Sequence, residues 1–172
     1  MKRTPWTERK FKFDFPVSNF PVIAERLRGT APHIADMIRT CDDNFLSKVH
    51  IGKWSIKQHI GHLIDLEELH EGRIDDFKNN LKVLRAADMN NAKTNEADHN
   101  AVPIQTLMQD LKYCRSHFIT RLEALTSEEL AKVSMHPRLN TPMRQVDMAF
   151  FVAEHDDQHL AIIREILRTK QA

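Results

Sequence analysis

Two histidines four positions apart give this chain its clearest chemical signal. His155 and His159 lie in the segment Glu-His-Asp-Asp-Gln-His at residues 154–159. Four residues turn an α-helix through about 400°, so both imidazoles leave nearly the same face and can bind one metal ion. Phe151 and Ile162 continue that stripe, which predicts that the pair faces the interior of a helical protein.

A metal ion at this pair needs a third ligand from another helix. His62 is the best candidate, because it borders the apolar face that carries Ile60 and Leu63, and facing helices in a bundle bring such side chains together. His59, about one turn earlier, is the alternative. Three histidines leave one position open on a Zn²⁺ ion, as in catalytic sites, and a water there becomes a ready nucleophile.

The alternative for these histidines is a hydrogen-bonded core without metal, because ten histidines make a chance pair easy to find. Asp156 stands where a zincin peptidase has Glu, which argues against that class. Glu67 and Asp156 are the candidate general bases. Glu67 and His70 line either a polar pocket or the solvent edge of an apolar row. Surface or capping positions are expected for the histidines at 33, 50, 99, 117 and 136.

Long helices are the elements expected to position these side chains. Four glycines and seven prolines in 172 residues are too few for the many turns of a β fold. Apolar spacing predicts four helices, at residues 21–44, 55–77, 103–125 and 141–169. Ser55 is the predicted N-cap of the second helix, and Thr141 with Pro142 is predicted to start the fourth. Gly29 and Pro32 predict a kink or break in the first.

The segments between the helices are predicted to be a long connection and short turns. Residues 79–100 are polar and rich in Asn, which predicts a long crossover. Thr126 is expected to cap a short helical turn, and residues 136–140 to form a loop. We therefore expect an all-α, up-down four-helix bundle that forms one domain over residues 1–172.

An extended arm is predicted before the first helix, within residues 1–19. Phe11, Phe13 and Phe15 alternate with polar residues, as in a strand. No second strand is evident in the sequence to pair with them. The arm is therefore expected to pack on the outside of the bundle.

Charge and composition limit the classes of partner. Lys plus Arg is 25 and Asp plus Glu is 24, so the basic excess typical of nucleic-acid binding is missing. No run of about 18 apolar residues predicts a membrane helix, and the first ten residues do not read as a signal peptide. Cys41 and Cys114 are too few for a disulfide framework. We expect a cytoplasmic protein with a small-molecule substrate.

Several segments resemble the DinB/YfiT-like superfamily. Residues 54–63, Trp-Ser-Ile-Lys-Gln-His-Ile-Gly-His-Leu, resemble the start of its second helix, and residues 155–159 resemble the His-x-x-x-His of its last helix. The arm at residues 11–16 and the segment 23–30 resemble its opening, so the likeness covers nearly the whole chain. The resemblance implies a four-helix bundle that binds Zn or Ni through three histidines, which correspond to His62, His155 and His159 here.

The resemblance leaves the activity open between a metal-dependent hydrolase and a thiol S-transferase that acts with a low-molecular-weight thiol. It also implies a homodimer. We expect a metal-dependent enzyme, because three neutral ligands leave the ion its charge and an open position for water or a thiol. The alternative is a non-catalytic metal-binding bundle with a structural or stress-related binding role.

Overall fold

The computed structural model describes residues 3–170, and most of them are helical. The long helices are α1 (Phe20–Ile38), α3 (Ile56–Asp65), α4 (Glu67–Lys78), α6 (Ile104–Glu123) and α8 (Gln145–Arg168), and the short ones are α2 (Asp43–Ser47), α5 (Ala92–Glu96) and α7 (Ser127–Leu130). Strands β1 (Val133–His136) and β2 (Thr141–Arg144) form an antiparallel hairpin. No helix in the described range is long and apolar enough to cross a membrane.

Two apolar clusters mark the two ends of a four-helix bundle. One contains the start of α1, the end of α6, the start of α8 and residues of α4, and the other contains the opposite ends of α1, α6 and α8 with residues of α3. The chain therefore runs up through α1, down through α3 and α4, down through α6 and up through α8. The predicted all-α bundle is confirmed, and its long crossover makes α4 and α6 parallel.

The packing order places α3 and α8 side by side. Both α1 and α3 pack against α6 and α8, so α1 and α3 lie at opposite corners of the bundle, as do α6 and α8. Because α3 and α8 are neighbours, residues on their facing surfaces meet inside the bundle. His62 lies on α3, and His155 and His159 lie on α8.

Side-chain caps fix the starts of α3 and α7 as predicted. The Ser55 hydroxyl accepts a hydrogen bond from the Gln58 amide at 3.1 Å, and the Gln58 side chain accepts one from the Ser55 amide at 3.0 Å. Thr126 and Glu129 form the same reciprocal pair at the start of α7. Each pair satisfies two backbone N–H groups that have no partner within the helix.

The first helix differs from the prediction in its length and continuity. It runs through Gly29 and Pro32 without interruption and ends at Ile38, six residues before the predicted end at residue 44. The Asp42 side chain accepts a hydrogen bond from the Phe45 amide at 2.7 Å and caps the separate helix α2. This cap gives residues 43–47 a helix of their own, which apolar spacing cannot distinguish from a continuation of α1.

The prediction that Thr141 and Pro142 start the last helix is wrong. Both belong to β2, where Pro142 lies opposite Met135. Because β1 also pairs with residues 82–84 on its other side, β2 is an edge strand, and an edge tolerates a residue without an N–H. Helix α8 begins at Gln145, where the Arg144 amide donates to the Asp147 carboxylate at 2.7 Å.

The N-terminal arm packs against the bundle as predicted. The ring of Phe11 lies 5.0 Å from that of Phe151, and the ring of Phe15 lies 5.1 Å from that of Phe150. Arg144 donates hydrogen bonds to two backbone carbonyls of the arm. The arm is therefore held against the bundle by aromatic contacts and side-chain hydrogen bonds rather than by strand pairing.

Candidate metal centre

The three predicted histidines lie together, and we call His62, His155 and His159 the metal triad. One ring nitrogen of each lies within 4.8 Å of the others. The Nε2 atoms of His155 and His159 are 3.2 Å apart. Two nitrogens on a tetrahedral Zn²⁺ ion are separated by about 3.3 Å, given Zn–N bonds of about 2.0–2.1 Å. The donor set therefore fits a divalent transition metal.

Residues of the long crossover orient His62 from behind. The Thr94 hydroxyl donates its single proton to the Asp65 carboxylate at 2.8 Å, so it can only accept at its 3.1 Å contact with Nδ1 of His62. The proton of His62 is then on Nδ1, and its Nε2 lone pair is free to bind a metal. A carboxylate behind a metal-binding histidine commonly fixes the ring in this way.

Asp65 is held in turn by His99, whose Nε2 lies 2.9 Å from its carboxylate. Gly61 permits this contact, because a Cβ atom at that position would lie 2.3 Å from the His99 ring. The predicted surface position of His99 is therefore wrong. Thr94 and His99 lie in the polar segment of residues 79–100, which shows no clear periodic signal, so they could not be identified from the sequence as supports of the site.

His59 supports the metal triad from its other side. Its Nδ1 atom lies 3.0 Å from Nδ1 of His159, which leaves Nε2 of His159 directed at His155. The group of nitrogens that converge includes His62 and excludes His59. The structure thus assigns the two alternatives different positions, with His62 in the metal triad and His59 behind it.

Burial keeps the metal triad neutral. It lowers the pKa of His62 and of His59 to about 4. Burial, together with the neighbouring histidines, lowers the pKa of His155 and His159 well below the ordinary value. At neutral pH these rings carry no charge, which is the form in which imidazole binds a metal.

The metal triad lines a cavity of about 650 Å³. Apolar side chains form much of its wall, including Trp6 from the arm, Trp54, and Phe151 on α8. The Trp6 and His155 rings are in edge contact, with centroids 4.9 Å apart. The cavity has the size and apolar lining of a small-molecule site.

Neither predicted base lines this cavity. Asp156 accepts two hydrogen bonds from Arg115, at 2.5 and 3.1 Å, and one from Thr30 at 2.7 Å. Glu67 accepts from the same guanidinium at 2.5 Å through Oε1. Sequence spacing alone could not reveal this buried Arg115, because it lies on α6 with no neighbouring motif.

Glu67 lies behind His70, and His70 separates it from the cavity. Its second oxygen lies 3.7 Å from Nδ1 of His70, and His70 lines the cavity. Burial alone would raise the pKa of Glu67, but Arg115 and His70 lower it below the ordinary value. Glu67 is thus an ionised carboxylate behind an imidazole. Both side chains are buried, so the predicted solvent edge is not observed, and of the two only His70 lines the cavity.

Comparison with known proteins identifies the family. A model of the DinB superfamily matches residues 23–163. The solved structure of YfiT from Bacillus subtilis, described as a probable metal-dependent hydrolase with an unusual four-helix bundle topology, is 19% identical with a TM-score of 0.75, over 95% of this chain and 94% of that one. No curated protein matches the chain. The chain belongs to the DinB superfamily.

Proposed function

We propose that the protein is a metal-dependent hydrolase that acts on a small molecule. The observation that supports this most directly is the position of the metal triad in the wall of the 650 Å³ cavity. Zn²⁺, or Ni²⁺ in its place, would be held by His62, His155 and His159. Such an ion supplies Lewis acidity and makes a bound water more acidic.

The proposed general base is His70, with Glu67 as its positioning residue. The Glu67 carboxylate faces Nδ1 of His70 and would hold the ring proton there, which leaves Nε2 to accept a proton from water. The separation of 3.7 Å exceeds a hydrogen bond, and such contacts often shorten when substrate binds. Arg115 fixes Glu67, and Asp156 fixes Arg115.

The apolar wall of the cavity would bind the body of the substrate and exclude water. Trp6, Trp54 and Phe151 supply this surface. A dry wall would strengthen the electrostatic interaction between an ion held by the metal triad and the reacting group. Hydrolysis is proposed in preference to thiol S-transfer because the similar structure, YfiT, is described as a probable metal-dependent hydrolase.

The activity is tested with untagged protein that is stripped of metal and reloaded with Zn²⁺ or Ni²⁺. Esters and amides are screened with and without a low-molecular-weight thiol. Product that needs the metal but no thiol supports the hydrolase, and product that needs both supports the S-transferase instead. His155→Ala should abolish turnover, while His33→Ala, an exposed histidine on α1, should leave it unchanged.

A non-catalytic bundle would give a different set of results. Metal would then raise the melting temperature without any metal-dependent turnover, and Glu67→Gln would affect stability alone. In the proposed enzyme, Glu67→Gln should change the pH profile and lower kcat, by less than the roughly 10²–10⁴-fold that general base catalysis contributes, because His70 itself remains.

Two further parts of the proposal are a homodimer and a location in the cytoplasm. Light scattering during size-exclusion chromatography tests the first, since a dimer has twice the 20.1 kDa mass of the chain. Cys41 and Cys114 are both free thiols, which suits a reducing compartment. Localisation of the protein expressed at its natural level tests the second.

A further inference from the structure

We infer that the cavity contains an anion subsite, formed by Arg73, His136 and Arg138, that binds a carboxylate or phosphate group of the substrate. The inference rests on the proposed function only in taking the metal triad as the place of reaction. It adds the chemical class of the substrate, an anionic ester or amide. All three residues line the same cavity as the metal triad.

His136 presents an N–H group without an acceptor. The Leu139 amide donates to its Nδ1 atom at 3.2 Å, so the ring proton of the neutral form is on Nε2. Burial, together with Arg73 and Arg138, lowers the pKa of His136 to about 4. Its Nε2 atom is buried and has no hydrogen-bond partner within residues 3–170, although sequence analysis expected a surface or capping position.

Arg138 presents a second unmet donor beside it. Its Nη2 atom is buried and lacks a partner in the described part of the chain. The guanidinium carbon lies 5.7 Å from the ring centroid of Phe151 and 6.0 Å from that of Trp6. The aromatic rings thus hold the guanidinium in the cavity, and no described carboxylate forms a salt bridge with it.

Arg73 adds a second positive charge that is fixed without a carboxylate contact. Its Nε and Nη2 atoms donate to the Arg85 carbonyl at 3.2 and 3.1 Å. Asp76 is nearby, but both of its oxygens accept hydrogen bonds from Arg85. Burial lowers the pKa of Arg73 to about 10, and the charge of Arg138 contributes to this, so the group stays charged at neutral pH.

The cavity offers almost no compensating negative charge. Among its described lining residues the single carboxylate is Asp88, which already accepts from the Asn90 and Ala92 amides at 2.8 and 2.6 Å. Buried donors without acceptors cost free energy. An anion that accepts from His136 and Arg138 would remove that cost and gain charge-assisted hydrogen bonds.

The subsite adjoins the metal triad. Phe151 contacts the His136 ring, with centroids 5.1 Å apart, and lies one helical turn before His155 on α8. The positive charge of Arg138 also acts on His155. A substrate anchored by its anionic group would therefore extend along this wall toward the metal triad.

Intrinsic fluorescence can test the subsite, because both tryptophans of the chain, Trp6 and Trp54, line the cavity. The probes are phenyl phosphate and phenylacetate, with phenylacetamide as the neutral analogue. Titrations use the metal-free and the metal-loaded protein. We expect the metal-free wild type to bind at least one anion at least tenfold more tightly than the neutral analogue, and the stronger anion identifies the group preferred.

Arg138→Gln should weaken binding of that anion at least tenfold, and Arg138→Lys, which keeps the charge but loses the fork of donors, should have an intermediate effect. Arg39→Gln is the matched control, since Arg39 is exposed at the end of α1. Equal binding of anions and neutral analogue by the wild type would overturn the inference, as would wild-type affinity in Arg138→Gln. If a variant does not fold, the comparison between the anions and the neutral analogue in the wild type still decides the question.

Different experimental results would refute the anion subsite and the proposed function. Anion binding by the metal-free protein, combined with a failure of the wild type to bind metal, would support the subsite and remove the hydrolase. Metal binding without any preference for anions in the metal-free protein would remove the subsite and leave the hydrolase.

Discussion

Replacing Thr94 with Val tests whether the crossover prepares His62 to bind a metal. Valine has nearly the same shape but lacks the hydroxyl that accepts from His62 Nδ1 at 3.1 Å and donates to Asp65 at 2.8 Å. The substitution leaves the His62 proton without its acceptor, so a hydrogen bond no longer fixes the tautomer of the ring. Asp65 keeps its contact with His99, so only the hydrogen bonds of the Thr94 hydroxyl are lost.

The expected effect on metal affinity follows from this loss. Removing the partner of a metal-binding histidine typically weakens binding about 10–100-fold, which corresponds to about 1.4–2.7 kcal/mol. We therefore expect Thr94→Val to raise the Kd for Zn²⁺ within that range, and Thr94→Ser to restore most of the affinity because it keeps the hydroxyl.

The assay is a competition titration in which a chelator of known affinity and the metal-free protein share Zn²⁺. Thr120→Val is the matched control, since the Thr120 hydroxyl is exposed and donates only to the Ser116 carbonyl of its own helix. Wild-type affinity in folded Thr94→Val would refute the reasoning, and so would an equal loss in Thr120→Val.

Three other predictions concern stability, each measured by urea unfolding of metal-free protein. Gly61→Ala should destabilise by about 1–3 kcal/mol, because its Cβ would meet the His99 ring, whereas Gly29→Ala, with nothing within 4 Å, should stabilise by about 0.5–1 kcal/mol; the reverse order would contradict the packing. Arg115→Met should cost about 3–5 kcal/mol by leaving two buried carboxylates unpaired, and a neutral effect would contradict it. Burial lowers the pKa of His136 and of the metal triad, so below pH 6.5 the unfolded state binds more protons than the folded state. The free energy of unfolding should therefore fall as the pH drops from 7 to 5, by on the order of 1 kcal/mol per pH unit for each histidine. A flat pH profile would contradict this.

Periodic features of the chain were predictable from the sequence. The stripe through His155 and His159 correctly placed both rings toward the bundle interior, and Ser55 and Thr126 correctly marked helix starts. These features succeed because helix geometry and capping depend on residues within a few positions of each other.

Features that depend on distant contacts were not predictable. Thr141 and Pro142 have the local chemistry of a helix start, yet pairing with β1 makes them a strand. The same holds for Asp156, whose partner Arg115 lies 41 residues away in the chain. Local sequence gives no information about which distant residue satisfies a buried charge.

The supports of the site were missed for the same reason. His99 and Thr94 lie in a polar segment that lacks helical periodicity over most of its length, and the fold brings them to α3. A glycine in the middle of α3, Gly61, was the one local sign of a close approach there. Its meaning becomes clear only when the neighbouring ring is known.

The most direct test of the central claim is the metal content of the purified, untagged protein after loading with Zn²⁺ and removal of excess metal. The metal triad predicts about one ion per chain in the wild type and in His117→Ala, an exposed histidine on α6. It predicts almost none in the His155→Ala/His159→Ala double variant. Equal metal in the wild type and a folded double variant would contradict the claim that these histidines form a metal centre.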